Sequence, residues 1–162
     1  MTALHPGGAF AFSHPAHVLA FGFGAGLVRV APGTAGTLAA WPLGWLLAGS
    51  VPPAAMLALV AVLFLVGIWC CGLTAERMGV ADHGAMVWDE MVAFLLILAV
   101  LPRELAWQAA GFGAFRLFDI VKPPPIRWLE RRLRGGFGVM FDDLVAAGYA
   151  LLVLALAKRL LA

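Results

Sequence analysis

Charge is scarce in this sequence. Lysine and arginine number 11, and aspartate and glutamate 9, among 162 residues, which is 12% against 63% hydrophobic residues. The mean hydropathy is +0.95. An ordinary soluble domain carries about 25% charged and about 45–50% apolar residues. Half the usual charge excludes a normal water-facing surface and places the chain among membrane proteins. The formal net charge of +2 is too small to suggest nucleic acid, so no nucleic-acid partner is expected. Cysteine is nearly absent: Cys70 and Cys71 are neighbours inside an apolar run, with no Cys/His spacing of a zinc site, and read as small packing residues. The N-terminal stretch MTALHPGGAFAFSHPAHVLAF lacks a basic segment and a compact apolar core before a cleavage site. A removable signal peptide is therefore not expected, and the membrane segments themselves direct insertion.

What the chain does have is long uncharged runs. None of the residues from Val30 to Ala75 is charged, and Pro32-Gly33 and Pro52-Pro53 break that stretch. Thr34–Ser50 is a candidate helix of short spanning length. Pro53–Ala75 is long enough to cross a hydrocarbon core of about 30 Å. His17–Val30, short and glycine-rich, reads as an interfacial or re-entrant helix. Met91–Pro102 is apolar but spans only if its helix begins near Ala85 and takes Asp89 and Glu90 into its first turns. After a turn at Arg103-Glu104, Leu105–Val121 returns. Ile126–Leu133 reads as a short amphipathic surface helix. Phe141–Leu161 is the last membrane helix, with Lys158 and Arg159 placed to snorkel. With no internal repeat or linker, residues 1–162 form one expected domain: an all-α, polytopic membrane bundle of about four spanning helices plus short interfacial ones.

Alternating these spans puts Arg29, Arg77, Arg116, Lys122, Arg127, Arg131, Arg132 and Arg134 on one side, and Arg103, Lys158 and Arg159 on the other. The positive-inside rule assigns the richer side to the cytoplasm. Asp82, His83, Asp89, Glu90, Asp119, Asp142 and Asp143 gather on that same rim.

Four segments carry chemistry. In DHGAMVWDE, Asp82, Asp89 and Glu90 offer hard oxygen ligands of the kind Mg²⁺ favours, or acids that simply complement a helix N-terminus. In FRLFDIVKPPPIRW, Arg116, Asp119 and Lys122 recur at i, i+3 and i+6, roughly on one helical face. Arg116 and Asp119 suit a salt bridge, and Arg116 with Lys122 equally suits a phosphate. The basic residues beyond read as attraction to anionic lipid head groups. In GGFGVMFDDLVA, the glycines allow close approach to a ligand, and Asp142-Asp143 follow at a helix start. Successive helical residues point about 100° apart, so one cap does not explain both acids. A metal ion or a basic partner does. In VAPGTAGTLAAW, the glycines open a helix and Thr34 or Thr37 either donates to a phosphate or caps it. The lysine of a Walker A loop is missing.

These segments, PGTAGTLAA, DHGAMVWDE, FRLFDIVKPPPIRW and GGFGVMFDDLVA, in this order from about Leu19 to Gly148, resemble the bacterial phosphatidylglycerophosphatase A family. The resemblance implies a multi-pass phosphatase of the bacterial inner membrane, acting on its cytoplasmic side. It would remove the terminal phosphate of the phospholipid phosphatidylglycerophosphate with Mg²⁺ as cofactor. On that basis Asp89, Glu90, Asp142 and Asp143 are expected to bind Mg²⁺ with Asp119 nearby, these five forming the catalytic set. Arg116 and Lys122, with Thr34 or Thr37, are expected to hold phosphate. Water is the expected nucleophile, because no DxDx[TV] arrangement is present.

Three other activities lack their signatures. A transporter or proton-coupled channel would place acids near the bilayer midplane, yet Met91–Leu101 and Leu144–Ala157 contain none. The DGxxAR core of CDP-alcohol phosphotransferases is absent. So is the Ser-Gly-His pattern of histidine-based lipid phosphatases, since His83 follows Asp82.

Overall fold

The computed structural model describes residues 6–161. Residues 1–5, the start of the stretch expected to hold no signal peptide, and Ala162 lie outside the described residues. The chain is helical throughout, with no strand among the described residues.

Two short helices, α1 (Gly8–Ala11) and α2 (Pro15–Ala20), and a 3-10 segment (Gly22–Leu27) precede the long elements. The single helix expected over His17–Val30 does not form, because Phe23 and Gly24 adopt positive φ and break it. His17 is buried where α2 packs on the long apolar helix Pro53–Met78. Its Nδ1 lies 2.8 Å from Thr74 Oγ1, and its Nε2 faces Arg77 Nη1 at 3.4 Å. The Arg77 guanidinium can only donate, so Nε2 accepts and Nδ1–H donates to Thr74. Phe10 stacks on the same imidazole at 4.5 Å.

Helix α3 (Pro32–Ser50) starts with a proline at its first position, where no amide partner is needed. Helix α4 (Pro53–Met78) starts the same way and ends on Gly79 in the left-handed region, whose amide and that of Val80 satisfy the last carbonyls. Helix α5 (Trp88–Val100) is only 13 residues, about 20 Å. Helix α6 (Leu105–Val121) ends where Lys122 turns left-handed ahead of three prolines. Helix α7 (Ile126–Arg132) is one short surface piece, and α8 (Gly135–Leu161) closes the chain.

Two helices, Pro53–Met78 and Gly135–Leu160, are long and apolar enough to cross a membrane. Leu57, Val62, Leu65 and Trp69 on the first, and Leu152, Val153, Leu156 and Leu160 on the second, are exposed. The span expected from Ala85 to Pro102 is shorter than foreseen. Its helix begins at Trp88, and residues 79–87 form a loop whose Val87 amide is satisfied by the Ala20 carbonyl at 2.8 Å. Helix α5 packs against α3, α4, α6 and α8, and nine of its 13 residues are buried. It is apolar because it is the core of the bundle. Helix α8 starts six residues earlier than expected. Gly136 brings its first turn against the Ile68 carbonyl of α4, where a Cβ would collide. Packing therefore extends the helix back through the glycines ahead of Phe141, and Asp142-Asp143 lie in its third turn.

Candidate active site

The start of α5, the end of α6, the start of α3 and the third turn of α8 meet at one end of the bundle. Asp89 and Glu90 occupy the first turn of α5, and Asp143 approaches from α8. One carboxylate oxygen from each lies within 4.8 Å of the other two. Asp89 and Asp143 are 7% and 3% exposed, and the Glu90 side chain 13%. Three oxygens here, Asp89 Oδ1, Glu90 Oε2 and Asp143 Oδ2, are buried without a hydrogen-bond partner, as is Arg116 Nε. Orphaned buried polar atoms are rare because each costs roughly 1–3 kcal/mol. Four in one place mark a group of donors and acceptors shaped around something else. The oxygen donors suit a hard divalent cation.

Arg116 and Asp119 sit one turn apart near the end of α6. The Arg116 guanidinium pairs with Asp119 at 2.6 Å and with Glu90 at 3.4 Å, so Asp119 orients the arginine beside the carboxylates. Lys122 donates to Asp142 at 2.7 Å and to Glu130 of α7 at 3.1 Å. Burial opposes its charge, but the bonds and charges of Asp142 and Glu130 outweigh burial and hold the ammonium pKa above its ordinary value. Asp142 thus differs from its neighbour. Its Oδ2 is engaged by Lys122 and its Oδ1 accepts from the Asp143 amide at 3.1 Å. Of the four acids expected to share a metal, Asp89, Glu90 and Asp143 converge, while Asp142 faces the lysine.

Helix α3 reaches the same place through Gly33. A Cβ there would strike the Glu90 carboxylate and crowd Arg116. Thr34 lies in that first turn, half-buried. Thr37 is buried and its hydroxyl donates to the Gly33 carbonyl at 2.8 Å, so it is spent within the helix rather than turned to a ligand. Asp82, in the 79–87 loop, is exposed and lines a recess with Asp142. Partial desolvation there, followed by the charge of Asp142, raises its pKa to about 6. Two contributors escaped the sequence reading. Gly33 was visible only as part of a glycine-rich turn, and Glu130 only as one acid in a basic stretch.

A helical protein with apolar outer faces, and an acid cluster flanked by an oriented arginine and a lysine, has the site of an enzyme that handles phosphate esters. The phosphatidylglycerophosphatase A family profile matches residues 18–158, and the chain belongs to that family, so it is a phosphoric monoester hydrolase. It is 45% identical over 155 residues to phosphatidylglycerophosphatase A of Haemophilus influenzae, covering 94% of each chain. It is 46% identical over 136 residues to that of Escherichia coli, covering 83% of this chain and 78% of the relative. A Bacteroides thetaiotaomicron protein, provisionally named a phosphatidylinositol-3-phosphatase, is 38% identical over 144 residues, covering 85% and 89%. No solved structure matches the chain at a significant level.

Proposed function

We propose that this chain hydrolyses phosphatidylglycerophosphate to phosphatidylglycerol and inorganic phosphate, with Mg²⁺, at the cytoplasmic face of a bacterial inner membrane. The observation that carries this reading is the set of three converging carboxylates with unpartnered oxygens beside Arg116 and Lys122. The names of the two phosphatidylglycerophosphatase relatives supply the substrate.

Asp89, Glu90 and Asp143 would hold the cation. Bound there, it would neutralise phosphate charge and acidify a water. Arg116, fixed by Asp119, presents a planar fork to the phosphate oxygens. Lys122 adds a point charge, and Asp142 holds it in place. The first turn of α3, with Thr34, offers amides and a hydroxyl to the same anion. Water is the attacking group, since no DxDx[TV] arrangement accompanies the aspartates.

The cytoplasmic placement and the four-span topology rest on the arginine and lysine asymmetry. The acids occupy one end of the bundle and Arg103 the opposite end of α5, where it stacks on Trp45 at 5.1 Å. Phosphate release from phosphatidylglycerophosphate by the purified protein in detergent tests the reading. Release should stop with EDTA and return with Mg²⁺. Release that persists without divalent cations, or no release under any condition, overturns it.

A further inference from the structure

Beside the carboxylate cluster lies a recess that shares only Asp142 with the hydrolytic site. It has a volume of about 390 Å³ and runs between α7 and the first turn of α8. Arg131 and Arg134 line it, as do Asp82, Glu130 and Asp142. Asp142 is therefore a shared wall: one side of this residue belongs to the recess, and its chain neighbour Asp143 belongs to the cluster. Two of the three acids are already answered, because Lys122 bonds both Glu130 and Asp142.

The two arginines are not. Neither makes a hydrogen bond, an ion pair or a ring contact among the described residues. Their companions on the same short basic segment are engaged. Arg127 donates to the Val121 carbonyl at 3.2 Å, and Arg132 lies over the Trp128 ring at 4.6 Å. Gly135 and Gly138 also line the recess, so the first turn of α8 opens on it. The first amides of a helix have no acceptor within it, and they add positive potential on the same side.

The substrate assigned under Proposed function carries two phosphates. One is the terminal monoester that is removed. The other is the diester that joins the glycerol head group to the lipid, and it survives the reaction. The lipid in the Bacteroides relative's name has the same plan: a diester at one point of a polyol and a monoester at another. A site that takes such a molecule has to seat two anions at once, on either side of a hydroxylated spacer.

We propose that the recess is the subsite for the diester phosphate, with Arg131 and Arg134 as its ligands. The two guanidiniums are specificity-determining: they admit lipids whose monoester is separated from a diester by a polyol. The Asp82 carboxylate supplies an acceptor for the hydroxyl of that spacer. Arg127 and Arg132, tied down elsewhere, contribute only to the general positive charge facing the membrane.

The inference rests on the proposed substrate, and two short probes separate the subsites. Dihexanoylphosphatidylglycerol has the diester and no terminal phosphate; inorganic phosphate stands for the terminal group alone. Binding of each is measured on the full-length protein in neutral detergent. The Arg131→Gln/Arg134→Gln variant should bind the lipid probe about 10-fold or more weakly, the loss expected for a charge-assisted hydrogen bond. Its affinity for inorganic phosphate should stay within about twofold, well under 1 kcal/mol. Arg127→Gln/Arg132→Gln removes the same charge from the same segment and should bind both probes as the parent does. Equal weakening in the two double variants would reduce the effect to surface charge and overturn the proposal. Unchanged lipid-probe binding in Arg131→Gln/Arg134→Gln would overturn it too, as would a parallel loss of phosphate. Should that variant fail to fold, Arg134→Gln is read in its place, with loss of the lipid probe but not of phosphate expected. Failure of the underlying function looks different: the unmodified protein then releases no phosphate from phosphatidylglycerophosphate.

Discussion

Lys122 holds Asp142 across 2.7 Å, and that contact gives two adjacent aspartates different work. Asp143, one position on, points among Asp89 and Glu90 with an oxygen left unpartnered.

Asp143→Asn should therefore act through the cation. The Mg²⁺ concentration for half-maximal activity should rise and kcat should fall by about 100-fold or more, as for loss of a direct ligand. Asp142→Asn should leave the Mg²⁺ requirement nearly unchanged and lower kcat/KM by roughly 10-fold through a loosened Lys122. Steady-state rates across a Mg²⁺ titration read both. Identical Mg²⁺ curves for the two variants would contradict this division.

Mg²⁺ should also stabilise the fold. Buried carboxylates repel one another, and a ligand that binds only the folded state raises the unfolding midpoint. Thermal unfolding in detergent should shift upward on adding Mg²⁺ to the parent protein. Asp89→Asn should lose most of that shift. This measurement does not depend on turnover.

Gly33→Ala places a methyl group against Glu90 and Arg116. Both are held in a network, so they yield poorly. The substitution should cost about 1–3 kcal/mol, in the range for overpacking, and depress activity as well. Gly113→Ala, inside α6 where nothing lies within 4 Å of the added atom, is the control: it should keep full activity and gain up to about 1 kcal/mol of stability from the better helix former.

His17 makes stability depend on pH. Burial first, then the charge of Arg77, then His14, lower its pKa from 6.5. In the folded state it keeps its neutral form, accepting from Arg77, to lower pH than in the unfolded chain. In the unfolded chain it takes a proton as the pH falls through about 6.5, so folding loses stability below that value and not above it. Between pH 7.5 and 5.5 the unfolding midpoint of the parent should fall relative to that of His17→Gln, while Asp82, with its raised pKa, pulls the other way equally in both. A slope of the same size in His17→Gln would assign it to other groups.

The sequence declared those elements whose ends are set locally. Helix α6 runs over Leu105–Val121 as its composition implies, because Glu104 and the prolines after Lys122 bound it. Helix α4 follows its proline start, and α7 begins at Ile126 as expected. The misjudged ends are those decided by packing at a distance. The start of α8 was expected at Phe141, but Gly136 lets an earlier turn close on the Ile68 carbonyl of α4, where a side chain would collide. The start of α5 was expected near Ala85, but the Ala20 carbonyl takes the Val87 amide and the helix begins only at Trp88. The site residues were legible as types and spacings. The 100° offset between Asp142 and Asp143 told that they diverge, but which one meets Lys122 depends on how α6 and α8 lie together. The hydroxyl of Thr37 carried the same ambiguity, and the Gly33 carbonyl one turn back resolves it.

Lys122 stands at a chain reversal, its backbone left-handed and prolines following at once. From there its single ammonium reaches a surface helix with one bond and an interior helix with another. The position of α7 is thereby written into the charge that Asp142 experiences. Where α7 packs on α8, Glu130 shares the lysine. Lifting α7 away leaves the whole positive charge to Asp142 and to any anion beside it. The attachment of a seven-residue helix to its surface is in this way coupled to the electrostatics of the reaction centre.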